Sequence, residues 1–163
     1  MMTRSHTEIP ARRISILGST GSIGRSALEV VRKYPELFDV VALAARSNIT
    51  VLSEQIAEFK PAYVAIADEN AGTRLKSMGL PVTVWSGDGA VEAVASLGVD
   101  TALCAMVGAV GLRPLLAAID AGNRVAVANK EPIVMAGRLI MEHAALRQIE
   151  VLPVDSEHNA IFQ

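Results

Sequence analysis

An α/β fold with a doubly wound, mainly parallel sheet and helices on both faces is what this sequence predicts, on three observations. Short apolar runs alternate with segments of helical period along the 163 residues, the pattern of successive βαβ units. Apolar residues make up 51% but aromatic ones only 4%, so the core is built from Ala, Val, Leu and Ile, as suits strands buried on both faces. Between the first apolar run and the first helical segment stands a glycine turn, Gly18-Ser19-Thr20-Gly21-Ser22-Ile23-Gly24. A strand, a glycine turn and a helix N-terminus open the Rossmann-like variety of this fold.

The elements follow in order. Ile14-Ser15-Ile16-Leu17 is the first strand. Ile23, Ala27, Val30, Val31 and Tyr34 fall at i, i+4, i+7, i+8 and i+11, one face of a helix that Pro35 closes. The second strand is 39–45, with Arg46-Ser47-Asn48 at its carboxyl end. Leu52, Ile56 and Phe59 mark a helix ended by Pro61, and 62–67 is the third strand. A short helix over 69–78 turns Leu75 and Met78 inward and stops at Gly79. Strand four is 82–85, and the turn 86–89 places Asp88 to cap a helix whose apolar face is Val91, Val94 and Ala95. Strand five is 101–107. Leu112, Leu115, Leu116 and Ile119 make a clean helical stripe, with Gly122 as its stop. After strand six, 124–128, Asn129-Lys130-Glu131-Pro132 opens a helix with Pro132 in its first turn. Its inner face is Ile133, Gly137, Ile140, Met141 and Ala144, and His143 reads as a surface or satisfied histidine. Strand seven is 149–154.

Composition excludes several classes. A net charge of −2 leaves no footprint for nucleic acid, and no apolar run reaches transmembrane length. Residues 1–11 read as a disordered basic tail without the apolar core of a signal peptide. The single cysteine fits a reducing cytoplasm. Cys104 lies inside the run Leu103-Cys104-Ala105-Met106-Val107, as a packed thiol rather than a nucleophile.

Four polar clusters fall at carboxyl ends of strands, where ligands bind such sheets: 18–24, 46–48, 129–131 and 155–157. Free N–H groups and the helix dipole at the glycine turn favour a phosphate, and the hydroxyls of Ser19, Thr20 and Ser22 are placed to add bonds. The spacing is G-x-x-G-x-x-G, a variant of the dinucleotide fingerprint; a turn that binds nothing is the other reading. No acid follows the second strand, where a ribose-binding carboxylate would stand. Arg46 with Ser47 and Asn48 suits a 2′-phosphate, which points to NADPH; an ordinary solvated arginine is the alternative. Asp155 and Glu157, at i and i+2, point the same way in extended backbone. That spacing fits a pair of ligands to Mg²⁺ or Mn²⁺, and equally a helix cap at Asp155 or Ser156.

Together the glycine turn, Ala128-Asn129-Lys130-Glu131 and the closing Leu152-Pro-Val-Asp-Ser-Glu-His-Asn-Ala-Ile-Phe-Gln163 resemble the 1-deoxy-D-xylulose 5-phosphate reductoisomerases. The resemblance runs from residue 12 to 163 and covers only that family's cofactor domain. It implies an NADP-binding domain over 12–154 and, at 155–163, the start of a catalytic domain absent here. Implied too are an NADPH-dependent reductoisomerase of the non-mevalonate isoprenoid pathway, a phosphorylated sugar substrate, a divalent metal, a cytoplasmic location and a homodimer at full length. By motif, Thr20, Gly21, Ser22 and Ile23 would hold the NADPH phosphates, and Arg46, Ser47 and Asn48 the adenosine end. Asn129 and Glu131 would also contact NADPH. Lys130, Ser156 and Glu157 would contact the substrate, with Lys130 and Glu157 catalytic, and Asp155 and Glu157 would bind the metal. Two departures are visible: Ser47 stands where the family usually has a basic residue, and Pro132 where it has Ser or Thr. The chain by itself is expected to lack catalysis. A semialdehyde-dehydrogenase-like NADP domain, which needs a nucleophilic cysteine, and a non-catalytic NADP sensor are the competing readings.

Overall fold

The computed structural model describes residues 10–154. Seven strands form one parallel sheet in the order β4-β3-β2-β1-β5-β6-β7. They are β1 (Arg12–Leu17), β2 (Phe38–Ala45), β3 (Tyr63–Ile66), β4 (Thr83–Ser86), β5 (Thr101–Cys104), β6 (Arg124–Val127) and β7 (Val151–Pro153). Between them run α1 (Ser22–Lys33), α2 (Ile49–Phe59), α3 (Glu69–Ser77), α4 (Ala90–Ala95), α5 (Leu112–Asp120) and α6 (Lys130–Arg147), with a 3-10 turn at Ala109–Gly111. The predicted fold class is the one observed.

Chain order reverses between β1 and β5. β1 pairs β2 on one side, Leu17 opposite Ala44, and β5 on the other, Leu17 opposite Cys104. The reversal divides the helices between the two faces. Leu28 and Val31 of α1, Leu52 and Ile56 of α2, and Leu75 of α3 pack on one side with Ile16. Val94 of α4, Leu115 and Ile119 of α5, and Ile140 of α6 pack on the other with Leu17. Successive β1 residues thus serve opposite cores, as strand geometry requires. A crevice opens at the carboxyl ends of β1 and β5, where the following loops leave in opposite directions.

Several local expectations need correction. The buried face of α1 is Gly24, Leu28 and Val31, whereas Ile23, Val30 and Tyr34 are exposed. The phase is set by Gly24, whose lack of a Cβ allows the helix to touch the turn before it. Met78 is the exposed C-cap of α3. Asp88 caps nothing: the N-cap of α4 is Gly89, without a side-chain bond, and Asp88 faces Arg113 at 3.5 Å. Strand five ends at Cys104, and Val107 is 82% exposed. In α6, Ala136 departs from helical geometry (φ −144°, ψ 28°). Ile140 and Ala144 point inward, but Met141, one residue past Ile140 and so rotated about 100°, is exposed. The stops at Gly122 (φ 84°) and Gly79 (φ 64°) are left-handed, as glycine permits.

No helix among the described residues is long and apolar enough to cross a membrane. Residues 1–9 of the expected 1–11 tail, and Asp155, Ser156 and Glu157, lie outside the described residues.

Candidate cofactor site

The glycine turn is held by backbone before any side chain acts. The Gly18 and Ser19 N–H groups both donate to the Ala44 carbonyl at 2.9 Å, and the Gly21 N–H donates to the Gly18 carbonyl at 3.1 Å. Gly18 sits at φ 94°, and a Cβ there would lie 2.6 Å from the Ala105 carbonyl oxygen. A Cβ on Gly24 would meet the Ser19 Cα at 2.6 Å and the Gly18 oxygen closer still. Gly21 differs: it is exposed, in ordinary extended backbone (φ −78°, ψ 174°), and its Cβ would meet only the Gly18 oxygen at 3.4 Å.

Among the described residues no acceptor takes the N–H groups of Thr20, Ser22, Ile23 or Gly24; the next, that of Arg25, reaches the Gly21 carbonyl at 3.0 Å. No acidic residue stands in the first turn of α1, and Arg25 Nε donates to the Thr20 carbonyl at 3.1 Å. Several unpartnered donors, a positive helix end and an open Gly21 make a seat that suits an anion. Of the residues around that seat, Thr20 is half-buried while Ser22 and Ile23 are exposed. Ser19 is not part of it. It is fully buried, and its hydroxyl donates to Gln55 Oε1 at 2.7 Å while Gln55 Nε2 donates to the Ser19 carbonyl at 2.9 Å. The expected phosphate contact at Ser19 is therefore replaced by a clamp onto α2.

Arg46, Ser47 and Asn48 are exposed beyond β2. Asn48 Oδ1 accepts from the Val51 N–H at 3.2 Å and caps α2. Arg46 makes no ion pair among the described residues. Its carbonyl takes the Asp68 N–H at 2.9 Å, and the Asp68 carboxylate is occupied in capping α3 through the Ala71 N–H at 2.7 Å. No free acid stands at the carboxyl end of β2 or β3 among the described residues, and Arg46 leaves an exposed guanidinium there. Ala67, Gly87, Val91, Met106, Val110 and Pro114 border a hollow of about 340 Å³ at the same edge.

On the far side of the crevice Asn129 caps α6, its Oδ1 taking the Glu131 N–H at 3.4 Å, and its Nδ2 donates to the Met106 carbonyl. Asn129 so ties the end of β6 to the loop after β5. Lys130 is exposed and Glu131 half-buried in the opening turn. Pro132 is buried there and lines one narrow crevice with Leu17, Cys104, Met106 and Asn129. Three of the four predicted clusters therefore share one sheet edge. The fourth, 155–157, lies outside the described residues, among which no group of three or more His, Cys, Asp or Glu could hold a metal. Cys104 is buried, and burial pushes its thiol up to about 12, as expected of a packed, inert residue. No motif marks Gln55 in the sequence. Its signal is a polar residue inside the apolar stripe Leu52, Ile56 and Phe59.

A doubly wound parallel sheet with a glycine turn at the N-terminus of its first helix places the chain among the Rossmann-like α/β proteins. The chain belongs, more narrowly, to the 1-deoxy-D-xylulose 5-phosphate reductoisomerase family, whose model matches residues 14–137. It is 48% identical over 156 residues to the 1-deoxy-D-xylulose 5-phosphate reductoisomerase of Chlorobium phaeovibrioides, covering 93% of this chain and 41% of that protein. The Zymomonas mobilis enzyme, solved in complex with NADPH, superposes with a TM-score of 0.90 at 38% identity, over 94% of this chain and 41% of that one. A reductoisomerase solved with NADPH, fosmidomycin and magnesium gives a TM-score of 0.87 at 40% identity, over 93% of this chain and 38% of that one. The chain thus spans about two fifths of the length of these relatives.

Proposed function

We propose that this chain is the NADPH-holding part of a reductoisomerase that converts 1-deoxy-D-xylulose 5-phosphate to 2-C-methyl-D-erythritol 4-phosphate in the non-mevalonate isoprenoid pathway. The observation that carries the proposal is the set of unpartnered N–H groups at the Thr20–Gly24 turn, with Arg46 exposed and unpaired among the described residues one strand away. Bound there, NADPH would supply a hydride for the reductive half of that conversion.

The residues divide that work. Thr20, Ser22 and Ile23 hold the pyrophosphate through free backbone N–H groups and Gly21 gives it room to approach, so affinity there depends on shape more than on side chains. Arg46 takes the 2′-phosphate as a charge-assisted partner, with Ser47 and Asn48 beside it; the Asn48 amide oxygen is already engaged by α2. Asn129 and Glu131 border the nicotinamide end, and Lys130 is the exposed cation that meets the sugar phosphate substrate. Ser156 and Glu157 are assigned to substrate, and Asp155 and Glu157 to Mg²⁺ or Mn²⁺, by their motif. Residues 12–154 form the cofactor domain, 155–163 lead into the catalytic part, and the longer protein works as a cytoplasmic homodimer. The reductoisomerase reading is favoured over a semialdehyde-dehydrogenase one by the family match over residues 14–137, and Cys104 is a buried residue rather than an accessible loop thiol.

The test is an NADPH-oxidation assay with 1-deoxy-D-xylulose 5-phosphate and Mn²⁺ on the 163-residue chain, beside an NADPH titration. Among the described residues nothing encloses a substrate, and positioning and electrostatics supply most of such a rate. Binding without turnover is expected. Turnover of about 1–1,000 per second would contradict the division of labour proposed here, and absence of NADPH binding would contradict the cofactor assignment.

A further inference from the structure

We infer that Gln55 is a positioning residue for the pyrophosphate, aiming an amide of the glycine turn at the ligand without touching it. The inference rests on the NADPH reading above. Gln55 lies in the middle of α2, 6% exposed, and Ser19 is fully buried. Ser19 Oγ donates to Gln55 Oε1 at 2.7 Å and Gln55 Nε2 donates to the Ser19 carbonyl at 2.9 Å. A carbonyl only accepts, so this pairing fixes which end of the amide faces which group.

The consequence lies in the next peptide. The Ser19–Thr20 bond is trans, and in a planar trans peptide the carbonyl and the following N–H point in opposite directions. Drawing the Ser19 carbonyl inward to α2 therefore turns the Thr20 N–H outward. That N–H has no acceptor among the described residues, and it adjoins the equally unpartnered N–H groups of Ser22, Ile23 and Gly24. The Gly18 and Ser19 N–H groups, both fixed on the Ala44 carbonyl, leave the Ser19–Thr20 peptide as the free hinge of the turn. Gln55 closes that hinge. The same helix is capped by Asn48, so one element supports both the pyrophosphate seat and the adenosine end.

Calorimetric titration with two probes separates aiming from general support: NADPH, which carries a pyrophosphate, and adenosine 2′-monophosphate, which does not. Gln55→Met keeps the volume and removes the donor. It is expected to weaken NADPH about tenfold, one to two hydrogen bonds' worth, and to leave adenosine 2′-monophosphate within about twofold. Ser19→Ala removes the hydroxyl but leaves the carbonyl held, and should keep NADPH within about threefold. If Gln55→Met does not fold, Gln55→Asn, one methylene too short to reach the carbonyl, carries the same expectation. Unchanged NADPH affinity in the Gln55 variant, equal loss of both probes, or an equal loss in Ser19→Ala overturns the inference alone. A wild-type chain that binds no NADPH overturns the cofactor reading, and this inference with it.

Discussion

Gly18, Gly21 and Gly24 are distinguished by what a Cβ would meet. At Gly24 it meets backbone of the turn itself, which cannot retreat without moving α1. Gly24→Ala is expected to cost about 1–3 kcal/mol, the usual penalty of forced overpacking, read as a lowered melting temperature. Gly21→Ala meets only a 3.4 Å contact and should leave stability within about 0.5 kcal/mol. It should still weaken NADPH, because its methyl occupies the ligand side. A matching stability loss at Gly21 would show that the turn is packed differently. Arg46→Ala should remove a charge-assisted bond of about 1.5–3 kcal/mol, a loss of about 10- to 150-fold for NADPH, with NADH nearly unmoved; equal losses would mean that Arg46 acts through structure. Cys104 should resist alkylation in the native chain and react once unfolded. Its folded value, about 12, lies above the ordinary 9.0. Its contribution is therefore fully present below pH 9 and lost as pH rises toward 12. Replacing Cys104 with Ala should flatten the fall in stability across that alkaline range, measured by denaturant titration.

Helices and strands impose constraints that single residues do not reveal. Asn123 follows the α5 stop and is buried. Its Oδ1 takes the Val99 N–H at 2.9 Å, and its Nδ2 donates to the Ala95 carbonyl at 3.0 Å and the Leu97 carbonyl at 2.9 Å. It thus closes the end of α4 against the approach to β5. Asn123→Ala leaves those backbone groups buried and unpaired, and should cost about 2–4 kcal/mol, or about 4–16 °C in melting temperature for a chain of this length. A smaller shift, under about 2 °C, would mean that water replaces the amide. The order of strands and helices was legible in the sequence because each apolar run is short, aliphatic and followed by a helical stripe. Helix phase was less legible. In α1 the inward position after the turn is a glycine, which hydropathy cannot see, so the apolar pattern runs through the exposed Ile23, Val30 and Tyr34. In α6 the irregular backbone at Ala136 interrupts the count. The cluster positions at 18–24, 46–48 and 129–131 were legible from topology alone. The Ser19–Gln55 clamp was not, since 36 residues separate its partners and nothing local marks Ser19 as buried.

For the molecule as a whole, function follows from where the strand order reverses. The sheet brings the glycine turn, the Arg46-Ser47-Asn48 segment and Asn129-Lys130-Glu131 to one edge, while the opposite edge carries Arg12, Arg13 and Arg124 around Asp100. Both edges hold positive charge, so charge alone does not choose between them. The chemistry does: among the described residues only the carboxyl edge joins unpartnered backbone donors to a helix N-terminus with glycine clearance. The measurement that tests this most directly is a backbone amide NMR titration of the 163-residue chain with NADPH. The predicted result is saturable shifts centred on Thr20, Ser22, Ile23 and Gly24, joined by Arg46, Ser47 and Asn48. Shifts centred on Arg12, Arg13 and Arg124, or no saturable shift at all, would contradict the account.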